Sequence, residues 1–467
     1  MLHRHLRTGG AAAVALGATF ALVAGPVGAQ DDPYGIGNPV TASATGVTGA
    51  AALDAVQLAS GLTATVVSDQ VGINADMIGL LPYGADKPTH AVICNEIDPA
   101  ETQQASVQLV DLATGGVTDI LSGMISCDPV KSTAWGTVIV GEEESDGRVI
   151  EILDPMTTTG ITYDRVAGTT SDPSKAAVRT ALGQLAYEGI VVLPDGTTYY
   201  GDERRPSKGD AGGGIYKFVP ATPFAGTEAI TDLAQSPLVA GSVWVARLGL
   251  RASDDVPAQD YGQGSNTGAG VWVAIPTPAD PVTFGLHDAA TAVGMTGFYR
   301  PEDMARDPKS DDVRLCWNNT GNDGQQNWGE TLCLTDMPAD DATVHPAGSM
   351  PVVEPFVIGN PQLRMPDNLD FDPVTGNLWL NMDASTSAED PSFGNDDVWV
   401  CLPDGTDADL LSDGCERAIT LVDGGAEFTG ITWLPDGSGF LQHLQHRTQD
   451  GDATPGTSDL ILVTPTR

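Results

Sequence analysis

Short apolar runs rich in valine, isoleucine and leucine recur along this chain, bounded by glycine, proline, aspartate and asparagine. VQLVDL, VIEILDP, IYKFVP, LCLTDMP, VWVCLP and LILVTP are one such series. Long stretches with the 3.6-residue period of an amphipathic helix are scarce, so the pattern predicts β-strands joined by turns. A second series ends in polar clusters: Cys94-Asn95-Glu96, Glu142-Glu143-Glu144, Gly201-Asp202-Glu203, Asn318-Asn319, Asn381-Met382-Asp383 and Gln442-His443. Each of these runs follows a turn marked by a proline, namely Pro82, Pro129, Pro194, Pro308, Pro373 and Pro435. The unit is therefore strand, turn, strand with a polar end, then further strand.

The prolines are spaced by 47, 65, 114, 65 and 62 residues, so the long interval reads as one unit plus an insertion at about 205–298. Six similar antiparallel units close best into a ring, which leaves few exposed edges. The expected fold is all-β, a six-bladed β-propeller over residues 61–467 with that insertion between the third and fourth units. A double-sheet sandwich is the alternative. Six residues before the prolines stand Asp76, Gly123, Glu188, Glu302, Asp367 and Thr429, four of them acids. In a ring, equivalent positions converge on the central channel, so these acids would meet.

Charge sharpens this picture. Sixty-two acidic residues face 22 basic ones, for a net charge of −40, and such a surface repels nucleic acid and anionic membranes. Cations are the attractive partners, and clustered carboxylates suit hard ions such as Ca²⁺, or Fe³⁺. Glu188, Glu302 and Asp367 share a register; Glu96, Glu142, Asp202 and Asp383 align more loosely. A solvated acidic surface is the plain alternative for any one of them. Arg300 lies two residues from Glu302, on the same side of an extended segment. It is either a clamp for a phosphate oxygen or a partner that merely neutralises Glu302. No G-x-S-x-G elbow or Ser–His–Asp pattern is evident.

Residues 1–29 carry Arg4 and Arg7, an apolar run from Ala11 to Ala24, and the small residues Val27-Gly28-Ala29. They read as a cleaved export signal, too short in its apolar run for a membrane span. Residues 30–60 read as a flexible leader. The six cysteines fall into near neighbours, Cys94 with Cys127, Cys316 with Cys333 and Cys401 with Cys415. An even count in an exported chain favours disulfides, although six cysteines allow 15 pairings. The expected location is periplasmic or extracellular.

Several strings together resemble the PhoX-type secreted alkaline phosphatases. They are THAVICNE, STAWGTVIVGEEESDGRVIEILDP, AYEGIVVLPDGTTYYGDER with GGGIYKFVP, FYRPEDM, MPDNLDFDPVTGNLWLNMD and EFTGITWLPDGSGFLQHLQ, in that order. The resemblance implies a propeller with an iron–calcium centre that hydrolyses phosphate monoesters without a side-chain nucleophile. It implies metal binding by Glu142, Glu188 and Glu302, a calcium-side role for Glu96, Asp367 and Asp383, and substrate phosphate binding by Arg300. Small phosphorylated substrates and a monomeric state are expected. Two positions depart from the family pattern: its cysteine before the paired glutamates is Gly141 here, and the acid of another element is Met382. The missing thiolate leads to the expectation of weakly bound or absent iron and lowered activity. A non-catalytic calcium-binding propeller, or a calcium-dependent hydrolase of lactones or phytate, are the alternatives.

Overall fold

The computed structural model describes residues 32–46, 52–249, 262–276, 283–383, 393–405, 407–445 and 458–466. The proposed export signal, residues 1–29, lies outside them. Six strands lead antiparallel meanders: Ala75–Leu81, Cys127–Ser132, Tyr187–Val192, Pro301–Arg306, Pro366–Phe371 and Glu427–Trp433. Each packs on the next, and the sixth packs on the first, so the inner strands form a closed ring. Gly79, Lys131, Val191, Ala305, Leu369 and Ile431, one from each inner strand, line a single cavity of about 320 Å³ in the channel. The fold is all-β and of the propeller type.

The last meander is completed from the other end of the chain. Leu62–Val71 pairs antiparallel with Ser458–Pro465, with Leu62 opposite Pro465 and Val66 opposite Ile461. Its exposed neighbours thus gain a full ladder of backbone hydrogen bonds, and the ring has no open seam there. Between sheets the packing is aromatic and aliphatic. Trp379, Trp433 and Phe440 meet edge-on or tilted at centroid distances of 4.9–5.5 Å. Each buried ring of this kind contributes about 1.5–3 kcal/mol through removal of apolar area from water.

Two boundary expectations change. Part of the 30–60 leader is held: Ile36 is buried, its carbonyl accepts from Gly61 N, and Val40 N donates to Arg417 O. Val56–Leu58 adds a strand to the fifth sheet, because its backbone supplies partners to Cys415–Leu421. Nor is 205–298 all additional. Ile215–Pro220 and Gly241–Leu248 complete the third meander, and Gly268–Ala274 bridges it to Ser349–Ile358 of the fourth. All three cysteine pairs form disulfides, Cys94–Cys127, Cys316–Cys333 and Cys401–Cys415. The last two join residues directly opposite each other on adjacent strands.

Candidate metal centre

The second residue of five inner strands is an acid: Asp76, Asp128, Glu188, Glu302 and Asp367. In each of these strands the pairing with the next slips by one residue at this point, a β-bulge that re-aims the side chain. In the sixth strand the slip lies between Thr429 and Thr432, no acid stands at it, and Thr429 gives its hydroxyl to Ala75 O. The second unit corrects the proline register. Its turn is Thr133–Thr137, where Gly136 N donates to Thr133 O just as Gly196 N donates to Leu193 O in the third unit. Ala134 therefore stands where the other turns carry proline, and the residue six before it is Asp128 rather than Gly123.

A second set of acids follows the second strand of four units, Glu96, Glu143, Glu203 and Asp383, with Thr320 in this place in the fourth unit. Glu96 N donates to Asn74 O, Glu143 N to Ser126 O, Glu203 N to Ala186 O, Thr320 N to Arg300 O and Asp383 N to Met365 O, at 2.8–3.2 Å. Four of those acceptors, Asn74, Ser126, Arg300 and Met365, are non-glycine residues with φ of 44–55°. Left-handed backbone at such residues is costly and clusters where geometry serves a site. Here it turns the chain into the inner strand and fixes the strand-end acid beside the bulge acid.

Together with Glu427, the first residue of the sixth inner strand, members of the two sets form three groups whose ligand atoms lie within 4.8 Å of one another: Glu96–Asp128–Glu143, Glu188–Glu302–Asp367 and Asp367–Asp383–Glu427. Asp128, Glu188 and Glu302 are 3%, 3% and 4% exposed. Burial, and after it the neighbouring acids, pushes Glu188, Asp367, Glu427 and Glu143 well above the usual carboxylate range. Burial pushes Asp128 up to about 8. Asp128 is the neighbour that raises Glu188 most after burial itself. Asp128 Oδ1 is buried without a hydrogen-bond partner. Hard cations fit such oxygens, since they replace both the missing donors and the protons.

Of the residues expected from sequence, Glu188, Glu302 and Asp367 come together in one group, Asp367 and Asp383 in the next, and Glu96 in the third. Glu142 does not join them. Its carboxylate is fully buried and accepts from Ile125 N, Arg148 N and Arg165 Nε at 3.1–3.2 Å. Glu143, the next residue, faces the centre instead. Asp128, Glu143 and Glu427 are the acids that sequence reasoning missed. Asp202 also turns away, and meets His287 at 2.7 Å. Met382 Sδ lies 3.2 Å from Trp399 Nε1 in the core, so the centre-facing position at this strand end is Asp383.

Arg300 sits at the rim of the second group. Its Nε donates to Glu203 Oε1, and its Nη2 is 3.5 Å from Glu302 Oε1, which also accepts from the Thr320 hydroxyl. Burial opposes the charge of Arg300, but Glu302 and Glu203 outweigh it and hold the guanidinium firmly protonated. At Gly141 a β-carbon would lie 2.7 Å from Pro129 Cγ and 3.0 Å from Tyr187 Cβ. The space beside Gly141 is therefore filled by Pro129.

No curated protein matches the chain closely enough to count. Among solved structures, Pseudomonas fluorescens PhoX in complex with vanadate, a transition state analogue, superposes with a TM-score of 0.65 at 20% identity, covering 92% of this chain and 98% of that one. A PQQ-bound aldose sugar dehydrogenase from Streptomyces coelicolor gives a TM-score of 0.45 at 12% identity, covering 87% and 99%. A gluconolactonase from Xanthomonas campestris gives 0.44 at 12% identity, covering 92% and 96%. These likenesses concern the fold. Residues 130–447, more than half of the sequence, match the family described as alkaline phosphatase PhoX, and the chain belongs to that family.

Proposed function

We propose that the protein is a secreted, metal-dependent phosphatase acting on phosphate monoesters. The observation that carries this reading is the convergence of acids from all six units beside one half-buried guanidinium, in a chain of the PhoX family. Enzymes of this family are secreted or periplasmic; three disulfides fit an oxidising compartment. Among the described residues no helix is long and apolar enough to cross a membrane.

The three carboxylate groups would hold the cations, with Glu96, Asp128 and Glu143 in one, Glu188, Glu302 and Asp367 in another, and Asp367, Asp383 and Glu427 in the third. Bound there, cations would supply Lewis-acid polarisation of the phosphoryl oxygens and a reactive oxygen nucleophile. The donor set is oxygen throughout. All six cysteines are in disulfides and Gly141 has no side chain, so the set suits Ca²⁺ and offers iron no thiolate.

The protein's own residues then do three things. Glu203 and Glu302 fix the plane of the Arg300 guanidinium, whose remaining N–H groups can donate to a phosphate oxygen. Thr320 holds Glu302 from the other side. The β-bulges and left-handed turns hold the carboxylates in place before substrate arrives, so little reorganisation is needed during reaction. The deciding experiment is hydrolysis of 4-nitrophenyl phosphate across neutral and alkaline pH by calcium-loaded protein. Turnover should vanish on chelation and return with Ca²⁺. A large thermal shift with Ca²⁺ but no turnover would instead support the non-catalytic calcium propeller, and a panel with a lactone and phytate tests the other hydrolase readings.

A further inference from the structure

Beside the Glu96–Asp128–Glu143 group lies a cavity of about 190 Å³, walled by Glu143, Glu144, Asp202, Glu203, Arg204 and His287. His287 reaches it from the short helix Leu286–Ala292. Most charges on this wall are already matched. His287 Nδ1 is 2.7 Å from Asp202 Oδ2 and its Nε2 is 3.2 Å from Asp210 Oδ1, while Arg204 Nε donates to Asp210 Oδ2 at 2.7 Å. Glu203 is paired with Arg300, and Glu143 belongs to the neighbouring carboxylate group. Glu144 is different. It is half-buried, and no cation among the described residues lies within 4 Å of its carboxylate.

We propose that this cavity receives the alcohol half of the substrate, and that Glu144 selects alcohols bearing an ammonium group. The substrates would be phosphate monoesters of small amino alcohols. This rests on the phosphatase reading and deepens it. The cavity shares Glu203 with the Arg300 pair and Glu143 with the carboxylate group, so a phosphoryl group held between those two leaves its ester oxygen beside the cavity. Its volume equals that of about six water molecules, enough for a short alcohol and too little for a nucleoside. An unmatched, half-buried carboxylate attracts an ammonium and repels a second anion.

The test uses calcium-loaded protein and four probes: phosphoethanolamine, phosphocholine, glycerol 2-phosphate and 3-phosphoglycerate. Both kcat/KM and calorimetric binding are measured for the protein and for Glu144→Gln, with Tm as a check on folding. The two ammonium probes should be preferred over glycerol 2-phosphate by about fivefold, 3-phosphoglycerate should be worst, and Glu144→Gln should bring the ratio of ammonium to neutral probe close to one. Turnover of all probes without that preference, or a preference unmoved by Glu144→Gln, overturns the proposal and leaves the phosphatase reading intact. A Glu144-dependent binding preference with no turnover upholds the cavity and overturns the phosphatase reading. Neither binding preference nor turnover overturns both.

Discussion

The ring of Pro129 occupies the space that a side chain on Gly141 would need, with Pro129 Cγ 2.7 Å from the position of its β-carbon. The two residues sit on the facing strands Cys127–Ser132 and Val138–Glu142. The thiolate that the resemblance would place here has no room unless Pro129 moves. Gly141→Cys alone should overpack this contact, destabilise the protein by about 1–3 kcal/mol and leave iron content unchanged. Gly141→Cys combined with Pro129→Ala should recover part of that stability and raise the iron content. Thermal denaturation with elemental analysis checks both, and iron gained by the single variant would show that Pro129 yields.

Asp128 gives a second prediction. Its buried carboxyl is costly without a cation and valuable with one. Asp128→Asn should raise the Tm of chelator-treated protein by a few degrees and shrink the Tm gain on adding Ca²⁺. An unchanged gain would mean that Asp128 holds no metal.

The pH dependence of the metal-free protein follows from the same groups. Asp76, Glu188, Glu302, Asp367 and Glu427 are pushed well above their ordinary values by burial first, and Asp128 to about 8. Unfolded carboxyls ionise near about 4, so between pH 4 and 8 the folded state binds more protons than the unfolded one. Stability is then full below about pH 4 as far as these groups are concerned, and falls as pH rises through their folded values. Chelated protein should lose Tm steadily from pH 5 to 9, and the gain from Ca²⁺ should grow over the same interval. A Tm that rises with pH in chelator would contradict this.

Arg300→Lys keeps the charge but loses the planar fork. On the phosphatase reading kcat/KM for a phosphomonoester should fall on the order of a hundredfold while calcium content stays constant. Equal activity would return Arg300 to the plain role of neutralising Glu302 and Glu203.

Much of the architecture could be read from spacing, because five of the six units repeat a turn and an acid six residues earlier. The register failed in the second unit for a physical reason. Turn geometry there depends on Gly136 at φ 80°, equivalent to Gly196 at φ 92° and Gly437 at φ 70°, and not on proline. Pro129 belongs to the strand, so anchoring on it gave Gly123 in place of Asp128. Alignment on the glycine would have found Asp128. Choosing between Glu142 and Glu143 was beyond the pattern: three glutamates follow one another, and the one facing inward is decided by the bulge between Cys127 and Val130. Arg165, which claims Glu142, lies 23 residues downstream in another strand's turn. The strand Leu62–Val71 was invisible as a partner of the last because nothing local marks a pairing across the whole chain.

That pairing sets an order of events. Glu427 comes from the sixth unit, whose sheet is completed when Ser458–Pro465 pairs with Leu62–Val71, whereas the other two groups draw only on units one to five. A chain that still lacks its last strand should be able to bring those two groups together, but not to hold Glu427 in a completed sheet. Of the three groups, Asp367–Asp383–Glu427 is therefore the one that should be completed last.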